Sequence, residues 1–180
     1  MQFILLYILS PIIFLLPGGI ANIGAYFSKK ILPNWNTPLD LGKKWRGVRV
    51  FGDHKTIRGI LVGSIFSMVT YILILKFEPT STIVVIPEGM NIWLFGFMIG
   101  VSALLGDAIK SFFKRRVGIK PGVSWFPLDQ IDWIIGILVF TFIVADITIL
   151  FAVFCLIMGL LLHLAGRFIG YLGGLHKEPI

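Results

Sequence analysis

Residues 128–165 read LDQIDWIIGILVFTFIVADITILFAVFCLIMGLLLHLA, an apolar run interrupted near its middle by Asp146. A spanning helix needs about 20 predominantly apolar residues, so the run is too long for one span and enough for two. A carboxylate at the centre of a single helix would cost about 2.5–3.5 kcal/mol, whereas at a turn it meets water. The run therefore divides into spans over 128–145 and 147–165, with a tight turn at Asp146. Toward the N-terminus three further apolar stretches, at about 3–27, 59–76 and 91–109, bring the number of spans to five. No basic segment precedes the first, which argues against a cleaved signal peptide. The expected fold is an all-α integral membrane protein, one domain over residues 1–180.

Composition agrees. Of the 180 residues 57% are hydrophobic and 14% charged, against about half and about a quarter in a soluble domain, which excludes a disordered chain and argues against a soluble one. The net charge is nevertheless +7, so the placement of the cations decides how the chain sits. Fifteen of the 16 Lys and Arg residues fall in the segment 28–58, the segment 110–132 or the C-terminal tail with Arg167 and Lys177. Lys76 is the exception, at a span end from which it can snorkel. The loop 78–90 carries only Glu78 and Glu88. With five spans all three basic segments share one side, and the positive-inside rule places them in the cytoplasm with the N-terminus outside. Four spans would break this segregation. Trp93 and Trp133 stand at span ends and Trp125 close by, as interfacial anchors do. GxxxG spacings at Gly59/Gly63, Gly96/Gly100 and Gly170/Gly174 suit close helix packing and are compatible with a homo-oligomer. Cys155 stands alone in an apolar run, with no disulfide to make. No protein partner is indicated, and a nucleic-acid partner is disfavoured because the basic loops flank hydrophobic spans.

The two basic loops, 28–58 and 110–127, hold more than orientation signals. The first reads TPLDLGKKWRGVRVFGDHKTIRG over 37–59, with Asp40 and Asp53 among cations and Thr56 between Lys55 and Arg58. Glycines let backbone N–H groups approach phosphate oxygens, but no GxxxxGK[ST] is present, so this is no P-loop; a flexible solvated loop is the alternative. The second block reads GDAIKSFFKRR over 106–116. If the third span continues as a helix, Asp107, Lys110, Ser111 and Lys114 share one face at offsets of 3, 4 and 7. Lys-Pro-Gly at 120–122 then breaks it. Asp129 and Asp132, three residues apart, open the fourth span. Carboxylates at the edge of the bilayer with cations opposite suit a magnesium–polyphosphate complex, since Mg²⁺ takes one or two carboxylates, water and phosphate oxygens. Capping of the fourth helix by Asp129 and Asp132 is the competing reading. Asp146 is expected to cap the fifth helix, His163 to be a satisfied core histidine, and His54 to be solvated.

Taken together these blocks resemble the CDP-archaeol synthase family, over nearly the whole chain. Pro17-Gly-Gly-Ile-Ala-Asn22 is similar to that family's proline followed by Ala-Asn; Pro38, Asp40, Gly42 and Phe51–Gly59 resemble its first-loop signature. Gly106–Arg116 and the Pro127–Asp132 stretch resemble its second, a pattern similar to that of CDP-diacylglycerol synthases as well. Gly18 and Gly166 depart from the family pattern, and its tryptophan near the C-terminus is missing. The resemblance implies attack of a lipid phosphate, 2,3-bis-O-geranylgeranylglyceryl 1-phosphate, on the α-phosphorus of CTP, with release of pyrophosphate, in phospholipid biosynthesis at the cell membrane with the site on its cytoplasmic side. It implies Mg²⁺ on Asp107, Asp129 and Asp132, and catalysis by these with Lys114. Arg49, Gly52, Lys55, Thr56, Arg58, Lys110, Ser111 and Arg115 are then candidates for contact with CTP or phosphate. Asp40 would orient nucleotide or loop, and Asp53 would bind metal or orient Lys55. Arg116 would read only the membrane surface. Two alternatives compete: a CDP-diacylglycerol synthase acting on phosphatidic acid, and a small transporter component, which charges deep in the spans would favour. A CDP-alcohol phosphotransferase is disfavoured by the Asp129/Asp132 spacing.

Overall fold

The computed structural model describes residues 4–77, 84–120 and 123–172. A short π-helical turn, Leu5–Leu9, leads into α1 (Ser10–Ile31); a loop with a two-stranded hairpin, β1 (Lys44–Trp45) and β2 (Val48–Arg49), precedes α2 (Ile57–Phe77). Then come α3 (Ile92–Arg116), α4 (Leu128–Val144) and α5 (Ile149–Leu172). The expected fold is found, an integral membrane protein of five long helices. Four of the spans, Leu6–Ile31, Ile57–Phe77, Ile92–Arg116 and Ile149–Gly166, are long and apolar enough to cross a membrane. The fourth helix, α4, has 17 residues, the lower end of the length that crosses a bilayer. Phe3, Glu78, Pro121, Gly122, Gly174 and Lys177, used in the sequence reading, lie outside the described residues.

Three details differ from the reading above. The all-α description omits the hairpin, whose Arg46–Gly47 turn has positive φ at both residues (50° and 80°), the geometry of a tight two-residue hairpin loop. The third helix does continue, to Arg116, so its basic turn belongs to a helix and not to a loop. Asp146 does not cap α5: the turn extends over 145–148 and Thr148 Oγ1 accepts from Phe151 N at 3.1 Å. A threonine beside the first helical turn reaches an orphan N–H from the cap position, while Asp146 stands too far upstream to do so.

Helices α1, α2, α3 and α4 pack successively, and α5 closes against α1 and α4. In lipid, apolar side chains gain little by leaving lipid for one another, so close approach through small residues and dispersion dominates. Gly100 shows the consequence: a Cβ there would sit 2.6 Å from Ser64 Cα of α2. Gly106 and Gly136 form a second crossing, between α3 and α4, where a Cβ on either would collide with the facing backbone, at Asp132 and Ser102 respectively. That crossing presses the start of α4 against the last turns of α3. The interior beneath is filled by Phe95, Ile99, Ala103, Ile134, Ile137 and Cys155, all essentially inaccessible.

Candidate active site

The side chains singled out in the two loop blocks meet where the end of α3, the start of α4 and the hairpin loop converge. Lys110 is at the centre. Its Nζ stands 3.1 Å from Asp107 Oδ1, 2.8 Å from Asp129 Oδ1 and 2.8 Å from Asp132 Oδ2. Lys114, one turn on, pairs with Asp129 at 2.7 Å, and Lys55 reaches across from the loop to pair with Asp107. Three carboxylates are thus interleaved with three ammonium groups. The helical offsets explain the α3 side, since Asp107, Lys110 and Lys114 stack on one face. Neither Asp129 nor Asp132 side chain caps the N-terminus of α4. Asp129 instead accepts from Trp125 N at 2.7 Å, which ties the preceding turn to the cluster, and Asp132 accepts from Trp133 N at 2.7 Å.

The loop is ordered by a separate carboxylate. Asp40 Oδ1 accepts from Gly42 N at 3.1 Å, and Oδ2 accepts from Phe51 N at 3.0 Å and Gly52 N at 3.1 Å. Arg49 adds a two-pronged contact, Nη2 to Oδ1 at 2.6 Å and Nε to Oδ2 at 3.3 Å, and bonds Asp53 with its remaining nitrogen. Burial would push the Asp40 carboxyl up. The Arg49 guanidinium and the three backbone N–H groups outweigh it and hold the carboxyl well below its ordinary value. At 6% exposure, and with both oxygens engaged by loop donors, Asp40 orders the loop. The neck is closed by Leu39 N donating to Lys55 O at 2.7 Å and Ile57 N to Thr37 O at 3.0 Å.

Between loop and α3 lies a cleft of about 580 Å³, lined by six cations, Lys44, Arg49, Lys55, Lys110, Lys114 and Arg115, and by only two carboxylates, Asp53 and Asp107. Gly52 and Ser111 also border it; a Cβ on Gly52 would come 3.9 Å from Arg115 Nε. Ser111 Oγ meanwhile donates to Asp107 O at 2.9 Å. Such a wall attracts a polyanion.

Two candidates sit elsewhere. Arg58 is 4% exposed and donates to Leu32 O at 3.1 Å and Pro33 O at 3.2 Å, bonding carbonyls beyond the C-terminal end of α1 rather than lining the cleft. Thr56 is the N-cap of α2, its Oγ1 accepting from Gly59 N at 3.2 Å. It borders a smaller cavity on the far side of Lys55. His54 is exposed as expected. Sequence reasoning missed Arg116, which it left to the membrane surface. Its guanidinium lies 4.1 Å from the Phe112 ring centroid and donates to Arg49 O at 3.0 Å, strapping the loop to α3. The signal was available in the Phe-Phe-Lys-Arg-Arg order, which sets Phe112 and Arg116 four apart on a helix.

The donor set suits a hard divalent cation. All three clustered side chains offer carboxylate oxygens, and Asp132 Oδ2 is buried without an aligned hydrogen-bond donor although Lys110 is close. Among the described residues no three such side chains close to metal-ligand distance; the carboxylates stand apart around the Lys110 ammonium.

Comparison with known proteins gives the family. A model of CarS-like CDP-archaeol synthases matches residues 3–179. The chain is 33% identical over 171 residues to the CDP-archaeol synthase of Pyrococcus horikoshii, covering 92% of this chain and 93% of that one. To that of Methanococcoides burtonii it is 36% identical over 156 residues, covering 79% and 89%. A solved structure of an intramembrane enzyme of archaeal membrane lipid biosynthesis superposes with a TM-score of 0.69 at 32% identity, over 87% of this chain and 91% of that one. The motifs, the five-helix fold and a family match over nearly the full length agree: the chain belongs to the CDP-archaeol synthase family.

Proposed function

We propose that the protein transfers CMP from CTP to the phosphate of a membrane lipid, 2,3-bis-O-geranylgeranylglyceryl 1-phosphate, yielding a CDP-lipid and pyrophosphate. The carrying observation is the cation-lined cleft that shares Lys110 and Asp107 with a carboxylate cluster at the edge of the apolar helices. An oxygen of the lipid phosphate forms the new bond to the α-phosphorus, and the bond from that phosphorus to the β-phosphate oxygen breaks. The nucleophile is already ionised, so no Ser–His–Asp or Cys–His pair is required. The work of the site is to align two anions and neutralise the charge gathering on pyrophosphate. Lys55, Lys114 and Arg115 line the cleft as triphosphate contacts, and Lys110 lies where the two anions would meet.

Asp107, Asp129 and Asp132 would hold Mg²⁺. When bound, the ion supplies charge for the leaving pyrophosphate and fixes the triphosphate. The clustering of cations at one end of the helices supports placing that end, and the site, on the cytoplasmic side of the cell membrane.

The test is direct. Purified protein with CTP and Mg²⁺ is offered the isoprenoid ether lipid phosphate or phosphatidic acid, and CDP-lipid and pyrophosphate are measured. Both products in equal amount, faster with the ether lipid, are expected. A faster rate with phosphatidic acid reassigns the acceptor, and no product with either lipid refutes the reading.

A further inference from the structure

At 4% exposure Arg58 is the least exposed charged residue among those described, yet it borders neither the nucleotide cleft nor the smaller cavity beside Lys55. A buried cation is costly unless charges or dipoles compensate it. Here the negative end of α1 does so, since Leu32 O and Pro33 O, both accepting from Nη1, lie just past its last residue, Ile31. Glycines bring the two groups together. A Cβ on Gly63 of α2 would sit 2.5 Å from Ala21 O of α1, so the start of α2 lies against the last turns of α1. Beyond this junction the loop has a narrow neck. Leu39 N donates to Lys55 O, Ile57 N donates to Thr37 O, and Pro38 bridges Thr56. Three residues, 34–36, separate Pro33 from one side of the neck, and on the other side Thr56 and Ile57 separate Arg58 from Lys55.

We propose that Arg58 is a positioning residue for Lys55: by pinning the chain that leaves α1 to the first turn of α2, it fixes the neck from which Lys55 reaches Asp107 and the nucleotide cleft. The proposal rests on the functional reading above, in which Lys55 contacts the triphosphate, and names the residue that aims it. Two features separate this brace from ordinary helix capping. The first is that α1 ends without it, because Leu32 N already closes the last turn on Ser28 O at 2.9 Å. What Arg58 adds is a hold on the chain feeding the neck. The second is that the backbone of Lys55 is itself part of the neck, its O accepting from Leu39 N at 2.7 Å and its N donating to Gly52 O at 3.3 Å. A shift of the neck therefore carries Lys55 with it. Its partner Asp107 stands on α3, so the pair forms only where neck and α3 are held in register. The other ties of the loop act farther out: Asp40 and Arg49 order the hairpin, and Arg116 straps it to α3, which leaves the root to Arg58.

A residue that acts through Lys55 should lose its effect once Lys55 is gone, which a double-mutant cycle on the full chain reads directly. Arg58→Gln is expected to raise the Kd for CTP with Mg²⁺ about tenfold. Beside Lys55→Met it should add less than about twofold, and beside Arg115→Gln, which lines the cleft away from the neck, it should keep the full tenfold. Arg58→Lys, one bond shorter but still charged, is the milder variant for the same cycle, with a rise of about threefold expected that again disappears beside Lys55→Met. Equal effects in the two backgrounds, or a lowered Tm with CTP affinity unchanged, overturn the proposal. A readout that needs no nucleotide is amide hydrogen exchange at the neck. In Arg58→Lys the Leu39 and Ile57 amides should exchange about tenfold faster while the amides in the middle of α2 keep their rates. Unchanged exchange at Leu39 and Ile57 refutes the brace. If the unaltered protein binds no CTP, the functional reading falls, and the exchange rates still decide whether Arg58 holds the neck.

Discussion

Replacing Asp40 by Asn removes one negative charge and turns one acceptor oxygen into an NH₂ donor. The geometry says which loss matters. One oxygen accepts from Gly42 N and Arg49 Nη2, the other from Phe51 N, Gly52 N and Arg49 Nε. Whichever way the amide is turned, at least two donors end up facing a donor. Hydrogen bonds to a charged acceptor contribute about 1.5–3 kcal/mol each, and a buried donor left unpaired costs about 1–3 kcal/mol. Phe51 and Gly52 are only half-buried, so water recovers part of this, and a net penalty of about 2–4 kcal/mol is the working figure. It falls on the loop and not on the helices, because every partner of Asp40 lies in the loop. If only the ordered loop binds nucleotide, the penalty appears as a lower competent fraction and weakens CTP binding by up to roughly 30- to 700-fold. The assay is calorimetric titration with CTP, paired with limited proteolysis between residues 38 and 56. An Asp40→Asn variant that binds CTP within about threefold of the unaltered protein, with an equally resistant loop, refutes the reasoning. The pH dependence follows in sign. A carboxyl whose folded pKa lies below its ordinary value of 3.8 contributes stability that is complete above that value and is lost as pH falls through the folded one. Loop resistance in the unaltered protein should hold from neutral pH to about 5 and fall below about 4, a step that Asp40→Asn should lack.

Asp107→Asn and Asp132→Asn should each abolish CDP-lipid formation while membrane insertion and size-exclusion profile stay intact; near-normal turnover in a folded variant would remove these residues from the proposed metal set. Gly136→Ala drives a methyl into the backbone at Ser102 and should destabilise the α3–α4 pair by about 1–3 kcal/mol or more, read as a lowered Tm in detergent, whereas Gly19→Ala, which meets nothing within 4 Å, should leave it unchanged. Arg116→Ala removes the bond to Arg49 O and the stack on Phe112, so the KM for CTP should rise about five- to thirtyfold, from about 1–2 kcal/mol, with kcat largely kept; a fall in kcat at constant KM would mean that Arg116 touches the reacting groups instead.

The fold was legible because a membrane makes sequence periodicity and charge nearly sufficient. Asp146 forced the division of the last apolar run, and the structure places the turn at 145–148. The shared face of Asp107, Lys110 and Lys114 was legible for a related reason, that an α-helix fixes which residues stack. What the sequence could not convey was pairing across elements. Lys55 meets Asp107 over 52 positions of chain, and nothing local distinguishes it from Arg58, three residues on, which turns inward to bond the carbonyls of Leu32 and Pro33. Both are cations in one motif; only the packing of α2 against α1 separates them. The Gly106–Gly136 crossing was missed for the same reason. The GxxxG search finds two glycines on one helix, and here one glycine from each helix makes the contact.

The charge balance of the site argues for how the nucleotide must arrive. Lys55, Lys110 and Lys114 offset Asp107, Asp129 and Asp132 almost one for one through short contacts, and this neutrality lets such a cluster stand against apolar helices, where an uncompensated charge costs several kcal/mol. A triphosphate entering the cleft alone would draw the lysines toward itself and strip the carboxylates of their partners. A second anion, the lipid phosphate, would deepen the deficit. Asp107, Asp129 and Asp132 would hold a divalent cation brought with the nucleotide, and its charge would then free the lysines for the phosphates. On this reasoning CTP binding should be strongly linked to Mg²⁺ in the unaltered protein. Lys110→Met, which leaves three carboxylates short of one cation, should tighten Mg²⁺ in the absence of CTP and lose turnover. Equal CTP affinity with and without Mg²⁺ in the unaltered protein would sink this account of the cluster.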